Sequence, residues 1–231
     1  MSRPIVAVRR FLNRRRIRIP AAELAARLGA DAPGVPVESL VIPAVGEDYA
    51  DEGALAARFA GRFYPGLREI VIVSDLGPSA FPDLPSRARV ATIDVNALMP
   101  REHAYSAIFK SRLVKVLAPL QASHERVVIT DSDLVILKSF CVPFADGCLM
   151  GSFRQGRLIS KVRDSGAGAP SELAGTYRPY LREHLNSAFL AATQRTWEKL
   201  IPSWLGAFIG IWAKLPDNQP PTDQLPLACV L

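Results

Sequence analysis

The chain has 231 residues, 49% hydrophobic and 22% charged, which suits one large globular domain, or one domain with extensions, and allows a sizeable core. Its net charge of +6 is concentrated: residues 1–20 hold seven arginines and no acid, and 28 less those 7 leaves 21 basic against 22 acidic residues. A nucleic-acid binder that reads its ligand across a basic folded face is thereby excluded.

In chain order, residues 1–36 read as a basic arm with a short helix and a linker, and residues 37–231 as one domain. The arm is a solvated segment able to touch anionic lipid, RNA or an acidic partner. Within it, residues 19–28 form a short helix with Pro20 in its first turn and Gly29 as its stop. The Pro/Gly-rich stretch 31–36 is linker. "SLVIP", residues 39–43, is a short buried strand, followed by a loop containing Ala44, Val45 and Gly46. Leu55, Phe59 and Phe63 recur at helical spacing. "EIVIVSD" (69–75) and "ARVATID" (88–94) are strands two and three, with a proline-bearing loop between them.

Residues 105–120 read as a helix. Ile108, Leu113, Val116, Leu117 and Leu120 share one face, and Lys110, Arg112 and Lys115 lie off it. "ERVVIT" is strand four and "CLMGS" (148–152) strand five. Residues 154–177, rich in Gly, Ser and charge, read as a loop or lid. "LNSAFLAAT" (185–193) is strand-like, and residues 196–212 are an apolar helix that Pro202, Gly206 and Gly210 could interrupt. The uncharged run 200–213 is too short for the ~20 residues of a spanning helix. A proline-rich loop and the start of a short helix end the chain, with Thr222 placed to cap it. Strands alternating with helices imply an α/β fold with a largely parallel sheet flanked by helices. Ligands of such sheets sit beyond the carboxyl ends of the strands. Asp48, Asp75, Asp94, Asp131 and Asp133 all fall there.

Three cysteines, an odd number with no CxxC pair, argue against a disulfide framework or zinc site and fit a reducing compartment. His103, His124 and His184 are scattered, and the three tryptophans at helical distances suit a core better than a carbohydrate platform. No secretory signal is visible.

"TDSDLVIL" carries the chemistry. Asp131 and Asp133 stand between two apolar runs, and an Asp-Ser-Asp can be no more than a turn. Two carboxylates roughly 5–6 Å apart repel by about 3 kcal/mol at an effective dielectric of 20. A divalent cation reverses that sign, and oxygen ligands select Mg²⁺ or Mn²⁺. Such an ion fills its other positions with water and substrate phosphates, which suits a diphosphate leaving group.

The segment "YSAIFKSRLVKVLAPLQASHERVVITDSDLVIL", with "LNSAFL" and "PTDQLPL" following in order, resembles the GT-A glycosyltransferases, in particular the retaining galactosyltransferase/glycogenin-like family. The resemblance covers residues 39–231. It implies a Rossmann-like GT-A fold, a nucleotide-diphosphate sugar donor with a UDP-sugar foremost, and retention of anomeric configuration. The acceptor would be a glycan or a lipid-linked sugar. It implies Asp131 and Asp133 as ligands of Mn²⁺ or Mg²⁺, with Ser132 between them at the donor. Lys110 would face the donor, Asn186 and Ser187 would bond sugar hydroxyls, and Asp223 and Gln224 would lie by the anomeric carbon and acceptor. Ala44, Val45, Gly46 and Asp75 would hold base and ribose. Two departures stand out. Ala188 replaces the glycine that the family has after its Asn-Ser pair. The chain also ends seven residues past Gln224, before the family's closing strand and histidine ligand. Either that piece is missing, another group completes the metal shell, or the metal binds weakly.

Ordinary structural roles compete at each position: a solvated Lys110, a capping Asn186, a turn at the aspartates. Two other functions use the same residues. Haloacid-dehalogenase-type phosphatases carry D-x-D-x-[TV], which Asp131, Asp133 and Val135 match, but they carry it near their start and need a later acidic pair that is absent here. A GT-A-like domain that binds a nucleotide sugar without turnover is the other. The expected location is cytoplasmic, with peripheral contact at the inner membrane face through the arm.

Overall fold

A computed structural model of the chain describes residues 34–99, 105–155, 183–213, 215 and 222–231, all within one compact unit, Gly34–Leu231. The basic arm, its expected helix, the linker up to residue 33, residues 156–177 of the expected lid and most of the proline-rich loop lie outside the described residues.

The described elements in order are β1 (Val35–Pro36), β2 (Ser39–Pro43), α1 (Glu47–Phe63), β3 (Glu69–Ser74), β4 (Ala88–Thr92), α2 (Val95–Leu98), α3 (Ala107–Leu117), β5 (Arg126–Thr130), β6 (Cys141–Val142), β7 (Met150–Gln155), β8 (Glu183–Thr193), α4 (Gln194–Trp212) and α5 (Gln224–Val230). Short 3₁₀ turns at Pro78–Ala80 and Ala118–Gln121 join them. The main sheet runs β4-β3-β2-β5-β8-β7, and β1 pairs β6 apart from it. β2, β3, β4 and β5 are parallel, while β8 is antiparallel to both β5 and β7. This is the expected α/β architecture.

The central strands are apolar without alternation because helices cover both faces of the sheet. Val41, Val71, Val73, Val127 and Ile129 pack on the α3–α4 side, and Leu40, Ile42, Ile70, Ile72 and Val128 on the α1 side. Trp197 and Trp204 are fully buried, and Trp212 is half-buried against the same core. Pro202 lies inside α4 without ending it. Among the described residues no helix is long and apolar enough to cross a membrane.

The helical spacing of Leu55, Phe59 and Phe63 marks α1 as a helix but does not mark its inward face. Leu55 is 44% exposed, and the helix instead buries Ala50, Gly53, Ala54, Ala56, Ala57 and Ala60. Small residues let α1 lie close to the β2 end: a Cβ on Gly53 would meet the Ala44 Cβ at 2.7 Å. In α3, Leu113 and Val116 are buried as expected, but Ile108 is 57% exposed and Leu120, beyond the helix, 40%. Lys115, expected on the outer face, is buried. A helical wheel ranks residues by polarity, whereas the sheet takes whichever face its partners complete.

At the amino ends of the strands, Glu69 and Glu38 are buried and paired. Glu69 accepts from Ser39 Oγ at 2.6 Å, from the Ser123 N–H, and from Arg89 at 3.3 Å. Glu38 meets Arg126 at 3.0 Å and Arg68 at 3.3 Å. Burial opposes the charge on Glu69, but its hydrogen bonds and Arg89 outweigh burial and hold its pKa below the usual value. A depressed carboxyl stabilises above its unfolded pKa, and that share is lost as pH falls through the folded value. Glu69→Gln will therefore cost about 1–3 kcal/mol at neutral pH. Denaturant unfolding at pH 7 and pH 3 checks this: the wild-type advantage must shrink at the lower pH.

Candidate active site

The sheet order reverses between β2 and β5. β3 and β4 extend from one side of β2, and β5 lies on the other. A crevice opens at the carboxyl ends of strands flanking such a switch point. One wall is the loop after β2 and the other is the turn after β5, which holds Asp131, Ser132 and Asp133.

The β2 loop is fixed by backbone. Ala44 N–H bonds the Val73 carbonyl at 2.9 Å, and both Ala44 and Val45 are buried. Gly46 turns at φ +81°, where a side chain would be strained, and its N–H donates to Asp75 Oδ1 at 2.8 Å. The four residues read together from sequence are thus one unit in space. Asp94 sits further along the rim as the cap of α2, accepting from Asn96 and Ala97, and Asp48 is exposed in the first turn of α1. With Glu47 and Asp48 in that turn, the α1 N-terminus is a poor cradle for anions.

β8 delivers the next pieces. It runs antiparallel to β5, so its earlier residues reach the same rim: Thr130 pairs Phe189, and Asp131 N–H bonds the Ala188 carbonyl at 3.0 Å. A bulge opens just there, the pairing jumping from Gly151–Leu190 to Ser152–Asn186. Asn186, Ser187 and Ala188 stand at or inside this bulge. Asn186 Oδ1 accepts from Ala188 N–H at 3.2 Å and from Gln224 Nε2 at 3.0 Å. The Asn186 amide N–H₂ and the Gln224 carbonyl oxygen remain as an adjacent donor and acceptor.

Lys115 is the centre of the cluster. Its Nζ lies 2.5 Å from Asp131 Oδ1, 2.7 Å from Asp223 Oδ2 and 3.2 Å from Ser187 Oγ. Ser187 Oγ donates to Asp223 Oδ2 at 2.7 Å, and Trp204 Nε1 holds the Asp223 carbonyl at 3.1 Å. Four elements therefore converge: α3, the β5 turn, β8 and the start of α5. Asp223 already has helical dihedrals, and Thr222 Oγ1 accepts from Leu225 N–H at 3.3 Å, the expected cap.

Charges in the cluster are strongly coupled. Burial works against the charge on Lys115, but Asp223 and Asp131 outweigh it and raise the lysine pKa. Burial likewise opposes Asp223, yet Lys115, Ser187 and Arg112 hold its carboxyl below the ordinary range. Asp131 goes the other way. Burial raises it, and the neighbouring Asp223 and Asp133 add to that rise against the pull of Lys115.

Two carboxylates and the diphosphate of a donor are the set on which Mn²⁺ or Mg²⁺ usually rests. Lys115 meets Oδ1 of Asp131, and Asp133 is exposed, so Asp131 Oδ2 and the Asp133 carboxylate are the oxygens that could hold such an ion. Among the described residues there is no group of three His, Cys, Asp or Glu that could hold a metal. Ser132 is buried and its hydroxyl donates to Glu52 Oε2 of α1 at 3.3 Å, which anchors the turn. Lys110, half-buried, precedes Lys115 by more than a turn of α3; the ammonium of Lys115 meets Asp131 and Asp223, and Arg112 adds its field at Asp223. Sequence reasoning passed over Lys115 and Glu52. The signal for the first was "LVKVL", a lysine with apolar residues on both sides in an inward-facing helix.

The fold is similar to that of the galactosyltransferase LgtC, solved in complex with donor and acceptor sugar analogs. The match spans 83% of this chain and 69% of that chain, with a TM-score of 0.51 and 14% identity. At that identity the likeness shows the fold, that of a GT-A glycosyltransferase. No protein-family model matches the chain, and no curated protein does.

Proposed function

We propose that the chain is a glycosyltransferase that moves a sugar from a nucleotide-diphosphate donor, a UDP-sugar foremost, to a glycan or lipid-linked acceptor. One observation carries this reading. Lys115 joins Asp131, Asp223 and Ser187 at the switch-point crevice of a GT-A fold, beside the Asn186–Gln224 amide pair.

Each part has a task. Gly46 and Asp75, with the backbone of Ala44 and Val45, hold the base and ribose. Asp131 Oδ2 and Asp133 would hold Mn²⁺ or Mg²⁺, which would supply positive charge against the departing diphosphate. Lys115 favours the charged forms of Asp131 and Asp223 at the rim, and at Asp223 it helps to outweigh burial. Asn186 donates to a sugar hydroxyl and Gln224 accepts from one, which fixes the ring against the anomeric carbon's partner. Asp223, with Oδ2 shared by Lys115 and Ser187, positions that lysine. The acceptor hydroxyl forms the new bond to the anomeric carbon as the bond to the diphosphate breaks, and its proton leaves with the diphosphate or to water. Retention of configuration is what the motif resemblance implies.

The direct test is calorimetric titration of UDP into the purified chain. Binding in the micromolar range with Mn²⁺, abolished by chelator, is the expected result. Equal binding with and without metal would remove the metal from the mechanism, and absent binding by folded protein would remove the donor.

A further inference from the structure

The two walls of the crevice are joined by one helix. α1 begins in the first wall: Gly46 is its N-cap, and Tyr49 N–H bonds the Gly46 carbonyl at 3.2 Å. Two turns on it lies against the same loop, with Gly53 so close that an added Cβ would meet the Ala44 Cβ at 2.7 Å. The residue beside Gly53 reaches the other wall. Glu52 Oε2 accepts from Ser132 Oγ at 3.3 Å, across 80 positions of the chain.

Ser132 stands between the two aspartates, and the turn that it occupies is fixed unequally. Asp131 is held by backbone and charge: its N–H bonds the Ala188 carbonyl at 3.0 Å, and its carboxylate meets Lys115. Leu134 N–H closes the turn on the Asp131 carbonyl at 3.1 Å. Asp133 is exposed, and its direction is set by the peptide that joins it to Ser132. Ser132 is buried, and its hydroxyl ties that peptide to α1. Glu52 itself belongs to no group of three His, Cys, Asp or Glu side chains that could hold a metal among the described residues. It acts one step out from the cation.

We propose that Glu52 is a positioning residue of the cation site: through Ser132 it fixes where the Asp133 carboxylate stands relative to Asp131, and so sets how tightly the donor complex holds its metal. The inference rests on the donor and metal reading given above and names the group that tunes it. An ion with only two protein carboxylates loses much of its affinity when one of them must be ordered as it binds. Partners of the ligating groups supply that order in advance. A carboxylate acceptor suits the task, because it makes a stronger bond to the serine hydroxyl than a neutral one. The choice of helix matters too. α1 carries the loop assigned to base and ribose, so one rigid element sets the separation between the nucleoside and the metal that meets its phosphates.

Calorimetric titration of UDP into the full chain at a series of Mn²⁺ concentrations tests it, by the metal concentration that gives half the enhancement of UDP binding. Glu52→Ala should raise that concentration about 10–100-fold, the usual effect of losing such a partner. Its thermal midpoint should stay unchanged, because the position is exposed and alanine is a good helix former. Ser132→Ala should raise it as much, and Glu52→Ala/Ser132→Ala no further, since each removes the same bond. Glu52→Gln keeps an acceptor for the hydroxyl and should stay within about threefold of wild type. The role is overturned if Glu52→Ala needs no more Mn²⁺ than wild type. It is overturned too if Glu52→Gln is as impaired as Glu52→Ala, which would make the effect one of charge, or if the two alanine losses multiply, which would make the residues independent. Failure of the wider reading looks different: wild type itself then binds no UDP, or binds it equally without metal, and the role of Glu52 falls with it.

Discussion

Lys115→Met will cost roughly 3–5 kcal/mol of folding stability, the usual result of removing one partner from a buried ion pair. The side chains of Lys115 and Asp223 are only 10% and 16% exposed, so water cannot replace the missing ammonium. Asp223 would be left with Ser187 and the field of Arg112 against the full cost of burial. Denaturant unfolding of the variant should show a lower midpoint with an unchanged slope. Lys115→Met/Asp223→Asn should recover much of the loss, because it removes the stranded charge as well. Neither variant should turn over a donor sugar. A Lys115→Met midpoint equal to wild type would mean that the cluster does not hold α3, β8 and α5 together. The pH dependence has a definite sign. The lysine pKa is raised, so its contribution persists across neutral pH and is lost only as alkaline pH passes that raised value. The Asp223 carboxyl is depressed, so its contribution is lost only as acid pH falls through that depressed value.

Asp131→Asn should lower turnover by about 10²–10³-fold, equivalent to roughly 3–4 kcal/mol of barrier, if this carboxylate stabilises the leaving diphosphate through its cation. The loss should fall on kcat more than on stability, because Asp131 is 35% exposed and Lys115 keeps its more deeply buried partner, Asp223, 16% exposed. Asp133→Asn, at an exposed position, should leave the thermal midpoint unchanged while abolishing metal-dependent binding of UDP. Burial and the two neighbouring carboxylates raise the Asp131 pKa. Metal-dependent binding should therefore weaken on acidification before an ordinary aspartate would protonate. Full activity in Asp131→Asn would end the assignment.

These effects follow from residues that the sequence displays unequally. The strands were legible because short β-branched runs such as "SLVIP" and "EIVIVS" have few other uses. They match β2 and β3 as found. The aspartates were legible for the same reason: carboxylates at the end of an apolar run stand out. The likeness of fold to a galactosyltransferase agrees with the motif resemblance. The convergence of the site residues is a matter of topology. Asp131 and Asp223 are 92 residues apart in the chain, and it takes the antiparallel β8 and the packing of α4 on α5 to bring them to one lysine.

The sequence by itself determined the central strands β2 to β5 and β8, though not the short β1–β6 pair, together with the helices flanking the sheet and the carboxylates at the strands' carboxyl ends. These are local properties: side-chain volume, branching and hydrophobic period act within a few residues. Only the tertiary structure decided which cation serves the cluster. Periodicity put Lys115 with the solvated residues of its helix, because in isolation an ammonium prefers water. Its burial becomes favourable only when two carboxylates and a serine hydroxyl from three other elements surround it, and no local reading of the helix can contain that compensation. The outward turn of Val135 and Leu137, both exposed, has the same origin. The pattern "LVIL" promises burial, but Ile136 alone finds a partner surface on α1, and its neighbours are left to the solvent side.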